Sequence, residues 1–326
     1  MSPYLSIVVP IYNEEDRLER CLNSILNQQN KKDVEVICVD DGSTDNSTDI
    51  LSKYTSEYDI VHVYRHENNK GYASTISDGL NNSEGQVVAF LDADSYLANG
   101  TIPNLIGTFE SGADAVFAQV QVGNPEAGLH PMACKVGKQF DESLNFGGAL
   151  MAFDKSVLLN EGGFNLSAER AGQDVEIRER LISLGYEVVL DDEITVYSDF
   201  PTDIVEVLKR KYLAGKTYIL SYDHNAEMFD LSIIRGMIFF ILFDVMVLFS
   251  LVSLLSTVFV ILMLVAFSLF YLNKTKAVYK ESNRISYIPA YLVYQFIAGQ
   301  LRVIGYISEF PKLITIVRKR MSLNTA

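Results

Sequence analysis

Residues 87–94, Val-Val-Ala-Phe-Leu-Asp-Ala-Asp, decide the fold that we expect for this chain. The five apolar residues are typical of a strand buried on both faces of a parallel sheet, and the run ends in two carboxylates one residue apart. In an open α/β sheet the ligand crevice lies at the carboxyl ends of the strands, where Mg²⁺ or Mn²⁺ can bind carboxylates together with substrate phosphates. We therefore expect chemistry at Asp92 and Asp94, although Asp pairs at strand ends also commonly cap a turn.

Strand and helix patterns alternate around this stretch. Strands are predicted at residues 5–10, 34–39, 60–64 and 87–91. The helix after the first strand has an apolar face made of Leu18, Cys21, Leu22, Ile25 and Leu26. This alternation predicts a doubly wound, mostly parallel sheet flanked by helices. The first strand-to-helix turn, residues 10–14, holds no glycine, which excludes the dinucleotide-binding fingerprint of dehydrogenases.

Charge is divided unequally along the 326 residues. Residues 1–230 hold 17 Lys and Arg against 38 Asp and Glu, whereas residues 231–326 hold 10 against 3. An acidic body argues against nucleic acid as a partner, and a basic, apolar tail favours a membrane with anionic lipid. The three cysteines lack metal-ligand spacing and no signal peptide is evident, so we expect reduced thiols and a cytosolic body.

Six motifs occur in a fixed order: SIVVPIYNEEDRLERCL, EVICVDDGSTDNS, NKGYASTISDGL, VVAFLDAD, GGALMAFDKSVLLNEGGFN and GQDVEIRERLISLGYEVVL. With this order and spacing the chain resembles the family 2 nucleotide-sugar glycosyltransferases over roughly residues 4–215. The resemblance implies a GT-A fold, which is Rossmann-like with a mostly parallel sheet. It also implies a UDP- or GDP-sugar donor, a Mn²⁺ or Mg²⁺ cofactor and an inverting mechanism.

The resemblance also implies roles for individual residues. Donor-binding positions are Pro10, Tyr12, Glu14, Asp41, Lys70, Asp92, Ala93, Arg210, Lys211 and Tyr212. Among them, Asp41 is expected at the base edge, because a carboxylate accepts the imide N–H of uracil or guanine. Asp92 serves the ribose and, with Asp94, the metal. The basic residues 209–212 are equally typical of a membrane-surface helix, and Lys70 of a solvated loop.

Asp174 occupies the position of the catalytic base that the resemblance implies. Two residues depart from the family pattern. The neighbour of the base is Gln173 where glutamate is usual, and the segment 196–199 has no histidine, so Asp199 is either a substitute metal ligand or the metal is held more loosely. Gly147 and Gly148 form either a plain turn or a close approach to a sugar.

The chain is expected to divide into a catalytic domain at residues 1–220 and a membrane region at 221–326. Between residues 236 and 272 the only charge is Asp244, and this length suits a transmembrane hairpin at about 233–272 with both basic flanks cytoplasmic. Residues 287–309 are predicted to form an in-plane amphipathic helix or a third crossing, followed by a basic tail. The predicted location is therefore a multi-pass cell-membrane protein with a cytoplasmic catalytic domain.

The leading hypothesis is an inverting, metal-dependent glycosyltransferase acting at the cytosolic membrane face. Its acceptor is expected to be lipid-linked, either a polyprenyl phosphate or a glycolipid, because a tethered enzyme meets a bilayer-bound substrate at high effective concentration. The alternatives are a polysaccharide synthase and a non-catalytic membrane protein that binds nucleotide sugars.

Overall fold

The protein is described by a computed structural model that covers residues 3–28, 33–140, 146–164, 173–221, 232–250, 254–282 and 287–308, with residues 312, 314, 315 and 317 beyond them. The chain divides into two compact units. The first contains residues 1–124 and 141–200, and the second contains residues 125–140 and 201–326.

The first unit is built on a sheet of eight strands in the order β3-β2-β1-β4-β7-β6-β8-β5. The strands are β1 Leu5–Ile11, β2 Val34–Asp40, β3 Val61–Arg65, β4 Val87–Leu91, β5 Ser95–Leu97, β6 Ala115–Val122, β7 Phe146–Asp154 and β8 Val188–Ser198. Strands β1 to β4 pair in parallel, as the sequence predicts, and β4 is buried at all five positions.

The second half of the sheet corrects the expectation of a mostly parallel arrangement. Strand β7 lies antiparallel to both β4 and β6, and β5 lies antiparallel to β8. The sheet is therefore mixed. Short apolar runs do not encode their direction, and the pairing of β4 with β7 joins residues about 60 positions apart in the chain.

Strand β1 runs through Pro10 to Ile11 and does not stop at the proline as predicted. Pairing of β1 with β4 ends at Val8, whereas pairing with β2 continues to Ile11. Along a parallel strand, the main-chain N–H groups of successive residues point alternately to the two neighbouring strands. At position 10 the N–H that proline lacks would point toward β4, where pairing has already ended. The proline therefore costs this ladder no hydrogen bond.

The helices of the first unit are α1 Leu18–Leu26, α2 Ser47–Glu57, α3 Tyr72–Asn82, α4 Thr101–Glu110, α6 Lys155–Asn160 and α7 Gln173–Leu184. All five predicted apolar residues of α1 are buried, which confirms its inward face. Apolar side chains from the strands and helices form two core clusters, one centred on β1 and α1 and the other on Phe90, Phe117 and Phe153.

Close packing of α3 on β1 requires glycine at position 79. A Cβ at Gly79 would overlap Cγ1 of the buried Val8 and lie 3.2 Å from its Cγ2. We expect Gly79→Ala to lower the free energy of unfolding by about 1–3 kcal/mol, measured by urea denaturation. Gly107→Ala in α4 is the matched control, because a Cβ there meets nothing within 4 Å, and it should stabilise by about 0.5–1 kcal/mol. Equal effects of the two substitutions would contradict this account.

The second unit is helical. Its helices are α5 Leu129–Phe140, α8 Ile204–Ser221, α9 Ser232–Ser250, α10 Leu254–Phe270, α11 Leu272–Ser282 and α12 Tyr287–Ser308. Helix α12 packs along α8, and α9 packs on α10. The buried core of this unit includes Val136, Val207, Val278, Tyr291 and Ala298.

Over the described residues, no single helix is both long and apolar enough to cross a membrane. The segments Val260–Phe270 and Leu272–Glu281, bent by 55° relative to each other, meet the requirement only as a pair. Residues 251–253, near the middle of the predicted hairpin, lie outside the described residues.

Candidate active site

Asp92 and Asp94 lie in the turn that joins β4 to β5, at the carboxyl end of β4. The Asp92 N–H donates to Ala149 O at 3.1 Å, which extends the β4–β7 ladder by one residue, and the Asp199 N–H donates to Asp94 O at 3.2 Å. Asp92 and Asp94 are half-buried residues, and Ala93 between them is buried. The main chain of the sheet therefore holds the two acids in a fixed relation.

Four carboxylates converge on this turn. The pKa of Asp92 is raised well above its usual range, first by burial and then by the negative charges of Asp94, Asp174 and Glu14. These residues come from three separate regions of the sequence, and the fold brings them within electrostatic range of one another. Such repulsion is relieved when a cation binds, which is how a divalent metal site is commonly built.

Asp174 is held against β7 by a main-chain hydrogen bond. It lies in the first turn of α7, and the Gly148 N–H donates to its Oδ2 at 3.0 Å. A Cβ at Gly148 would lie 3.2 Å from Asp174 Cβ and 3.4 Å from its Cγ. Gly147 and Gly148 are strand residues and do not form the plain turn considered from the sequence. The absence of a side chain at Gly148 instead leaves room for the Asp174 side chain.

This contact predicts a difference between two adjacent glycines. Gly148→Ala should displace the Asp174 carboxylate by a few tenths of an ångström. If Asp174 is the base that the sequence analysis expects, this should lower kcat about tenfold, because catalytic groups tolerate little misplacement. Gly147→Ala is the control, since its Cβ would approach Asp174 Oδ2 only to 3.8 Å, an ordinary contact. Steady-state rates of sugar transfer measure both, and equal rates for the two variants would contradict the prediction.

Tyr72 is a site residue that the sequence analysis missed. Its hydroxyl donates to Asp92 Oδ1 at 3.1 Å, and burial followed by the charge of Asp92 raises the pKa of the phenol well above its usual range. The residue opens α3, directly after Gly71, which adopts a positive φ of 91°. Only its position after a strand and a glycine loop could have indicated it.

Removal of the Tyr72 hydroxyl tests this contact. We expect Tyr72→Phe to weaken donor binding about tenfold, because a hydrogen bond to a charged group contributes about 1.5–3 kcal/mol. Tyr64→Phe is the control, since Tyr64 is an exposed residue of β3. Calorimetric titration with nucleotide and Mn²⁺ measures the effect, and unchanged affinity in Tyr72→Phe would contradict it.

The ends of β1 and β2 are tied together by side-chain caps. Asn13 has a positive φ of 56°, its N–H donates to Ser43 Oγ at 3.0 Å, and its Oδ1 accepts from the Thr44 N–H at 2.8 Å. This arrangement leaves Tyr12 exposed at the surface, as a base-stacking residue would need to be. Glu14 forms an ion pair with Arg17 at 2.8 Å and is part of the carboxylate cluster.

Asp41 is largely engaged within the protein. Its Oδ1 accepts from the Lys70 N–H at 2.7 Å and its Oδ2 from the Gly71 N–H at 2.9 Å, while His66 Nδ1 lies 2.6 Å from Oδ1. The carboxylate is buried and fixes the loop that leads into α3. The Lys70 side chain is exposed, with Nζ 3.8 Å from Asp78 Oδ2.

Asp199 forms an ion pair with Arg20, and the Arg20 guanidinium lies 4.2 Å from the centre of the Tyr96 ring. Tyr96 stacks in turn on Tyr197 across the β5–β8 ladder, with ring centres 5.2 Å apart. Asp199 was considered from the sequence as a substitute metal ligand. In the structure it is paired with Arg20, and its role as a ligand stays a prediction.

The remaining predicted donor-binding residues, Arg210, Lys211 and Tyr212, lie on α8 in the second unit. Arg210 pairs with Glu206 at 2.7 Å within the same helix. Their role toward the donor phosphates stays a prediction.

Asp92 and Asp94 are the residues of this turn that could hold a divalent cation. Among the residues that the structure describes, no group of three or more His, Cys, Asp or Glu side chains is arranged to hold an ion alone. Mg²⁺ is commonly bound by one or two carboxylates together with substrate phosphates and water, and Asp92 and Asp94 can supply that pair.

Comparison with known proteins shows what the first unit is similar to. Residues 6–157 match the sequence model of Glycosyl transferase family 2. Over 97 residues the chain is 41% identical to poly(ribitol-phosphate) beta-glucosyltransferase of Bacillus spizizenii, which is 29% of this chain and 15% of that protein. The chain thus matches only a small part of the length of this relative.

Two other relatives align over longer regions. Over 229 residues the chain is 27% identical to glycosyltransferase AglE of Haloferax volcanii, covering 67% of this chain and 73% of that protein. Over 116 residues it is 38% identical to the undecaprenyl-phosphate 4-deoxy-4-formamido-L-arabinose transferase of Proteus mirabilis, covering 34% of this chain and 35% of that protein.

Solved structures confirm the GT-A-like fold. The chain matches mannosyltransferase PcManGT from Pyrobaculum calidifontis, in complex with GDP-Man and Mn²⁺, with a TM-score of 0.55 and 20% identity over 68% of this chain and 64% of that one. It matches S. aureus TarS 1-349 with a TM-score of 0.51 and 19% identity over 93% of this chain and 89% of that one.

Proposed function

We propose that this protein is an inverting glycosyltransferase that moves a sugar from a nucleoside-diphosphate sugar to a lipid-linked acceptor. The observation that carries the proposal is the convergence of Asp92, Asp94 and Asp174 at the carboxyl end of β4, in a chain whose residues 6–157 match the family 2 model. The names of the relatives support an acceptor that carries phosphate, because one includes poly(ribitol-phosphate) and another undecaprenyl-phosphate.

Asp92 and Asp94 would hold the divalent cation, Mn²⁺ or Mg²⁺. When bound, the cation supplies positive charge that stabilises the departing nucleoside diphosphate. The neighbouring Tyr72 hydroxyl orients Asp92. Tyr12 offers a flat face to the base, and Pro10 and Glu14 complete the nucleotide side of the pocket. Asp41 supports this pocket by holding the 70–71 loop, and the second lone pair of its Oδ2 is the acceptor we propose for the base.

Asp174 would act as the general base. Gly148 donates to Oδ2 and so fixes the carboxylate, which leaves Oδ1 to accept the proton from an attacking hydroxyl. The hydroxyl oxygen then bonds to the anomeric carbon as the bond to the diphosphate breaks, with inversion at that carbon. A lipid phosphate acceptor is already an anion and needs no base.

The second unit is the proposed contact with the membrane. Apolar side chains on α9 and α10 are exposed, among them Leu242, Leu262 and Phe270. Contact with lipid would bury this surface and bring the enzyme to a bilayer-bound acceptor. We place the catalytic domain on the cytosolic side, where nucleotide sugars are made.

Release of nucleoside diphosphate tests the proposal. The full chain is incubated with UDP- or GDP-sugars, Mn²⁺ and membrane lipid, and the product linkage is determined by NMR. Donor-dependent release with inverted configuration is expected. Binding of a donor without turnover, over the whole donor panel and with lipid present, would instead indicate a non-catalytic nucleotide-sugar-binding protein. A long polymer as product would indicate a polysaccharide synthase.

A further inference from the structure

One buried histidine of the first unit lies between two carboxylates. His66 Nδ1 is 2.6 Å from Asp41 Oδ1, and His66 Nε2 is 2.8 Å from Asp78 Oδ2. The His66 side chain is 6% exposed, whereas that of Asp78, on α3, is 40% exposed. The ring therefore joins the buried Asp41 to a carboxylate at the surface of α3.

The main chain places this ring beside Asp41. His66 follows β3, and its N–H donates to Asp40 O at 2.9 Å, which extends the pairing of β2 with β3 by one residue. Asp41 follows β2, and its N–H donates to Ile11 O at 2.8 Å. Two strand ends thus hold the imidazole and the carboxylate side by side, and α3 holds the far side of the ring.

The two oxygens of Asp41 are engaged to different extents. Oδ1 accepts from the Lys70 N–H at 2.7 Å and contacts His66 Nδ1, whereas Oδ2 accepts from the Gly71 N–H at 2.9 Å. An ionised carboxylate only accepts, so the proton in the contact with the ring lies on Nδ1. Each carboxylate oxygen can accept two hydrogen bonds. Oδ1 therefore has both of its bonds, and within the described part of the chain Oδ2 has one.

We propose that His66 is a positioning residue that determines which nucleobase binds. By holding Oδ1, His66 turns the second lone pair of Asp41 Oδ2 toward the base, where it accepts the imide N–H of uracil or guanine. Cytosine and adenine carry a lone pair at the equivalent ring nitrogen, so the same oxygen rejects them. This role rests on the proposed function, because Asp41 must face the base of the donor.

Affinities for nucleoside diphosphates test this role without turnover. The full chain is titrated in a calorimeter, with Mn²⁺ present, with UDP, CDP, GDP or ADP. The base preference is the ratio of the dissociation constants of CDP and UDP, or of ADP and GDP. In at least one pair the wild type should prefer the imide base about tenfold or more, because the other base leaves a charged acceptor unpaired. Asp41→Asn should remove most of this preference, since an amide can donate as well as accept.

Two substitutions of His66 separate the roles of its ring nitrogens. The amide of Asn reaches the position of Nδ1 and that of Gln the position of Nε2, so only His66→Asn keeps a donor toward Asp41. His66→Gln should lower the base preference about tenfold, whereas His66→Asn should keep it within about threefold of wild type. His62→Gln is the matched control and should leave the preference unchanged, because His62 is an exposed residue of β3.

The outcomes separate the role of His66 from the proposed function. A preference that is lost in Asp41→Asn but kept in His66→Gln would overturn the role of His66 and leave the proposed function standing. Equal losses in His66→Asn and His66→Gln would also overturn it, since the ring would then only support the fold. Wild-type binding of all four nucleotides with equal affinity would overturn base selection at Asp41. Failure of the wild type to bind any of them would contradict the proposed function itself.

A variant at the exposed end of the bridge keeps the test valid if substitution of the buried ring prevents folding. Circular dichroism checks that each variant is folded. Asp78→Asn removes the charge that faces Nε2 and should lower the base preference about threefold, because Asp78 acts on Asp41 only through the ring. An unchanged preference in Asp78→Asn, together with unfolded His66 variants, would overturn the role of His66.

Discussion

Asp94→Asn is expected to lower kcat/KM about 10³-fold or more, because a bound cation contributes several kcal/mol to stabilising a leaving diphosphate. Asp94 lies in the turn after β4, and its Oδ1 accepts from the Ser95 hydroxyl at 3.1 Å. The amide keeps the size of the side chain while it removes the charge. We also expect the affinity for nucleoside diphosphate to lose its dependence on Mn²⁺, which calorimetry can measure without turnover.

Asp192→Asn provides the control for this experiment. Asp192 is an exposed residue of β8, so the same chemical change there should leave both the rate and the effect of Mn²⁺ on nucleotide affinity unaltered. Retention of Mn²⁺-dependent nucleotide binding in Asp94→Asn would show that the cation, if required, is held elsewhere.

Asp174→Asn is expected to lower kcat by about 10²–10⁴-fold with a hydroxyl acceptor, which is the usual contribution of a general base. The amide cannot take the proton, although Gly148 can still donate to its oxygen. Donor affinity should remain within about twofold of wild type, because the role proposed for Asp174 is toward the acceptor and not the nucleotide. Stopped assays at saturating donor measure kcat, and calorimetry measures the affinity.

The size of the loss of kcat in Asp174→Asn also indicates whether the acceptor is a hydroxyl or a lipid phosphate. A loss below about tenfold with a lipid phosphate would fit an acceptor that is already an anion. A loss that appears entirely in donor affinity would contradict the role of Asp174 as base.

The first half of the fold could be predicted because its signals are local. The strand at 87–91 agrees with β4 residue for residue, and the inward face of α1 follows from helical spacing. Their order along the chain also fixed the parallel arrangement of β1 to β4, since each strand is followed by a helix. The antiparallel part has no such signal, because pairing of β7 with β4 depends on residues distant in sequence.

The site was predicted in part for the same reason. Asp92 and Asp94 follow a recognisable strand, so their position could be inferred. The contacts of Tyr72 with Asp92 and of Gly148 with Asp174 arise only when separate elements pack together. The hydrogen bonds from the main-chain N–H groups of residues 70 and 71 to Asp41 could not be predicted either. Every residue except proline has a main-chain N–H, so the residue type does not indicate such a bond.

The ion pair between Arg20 and Asp199 has a consequence for the order of events in a reaction cycle. Asp199 is paired with Arg20, and among the residues that the structure describes no group of three or more His, Cys, Asp or Glu side chains could hold a cation, so we expect low cation affinity when the nucleotide is absent. We expect the ion to arrive and depart with the nucleotide as one complex. A chelator should then stop turnover within a single cycle, and purified protein should carry almost no tightly bound manganese.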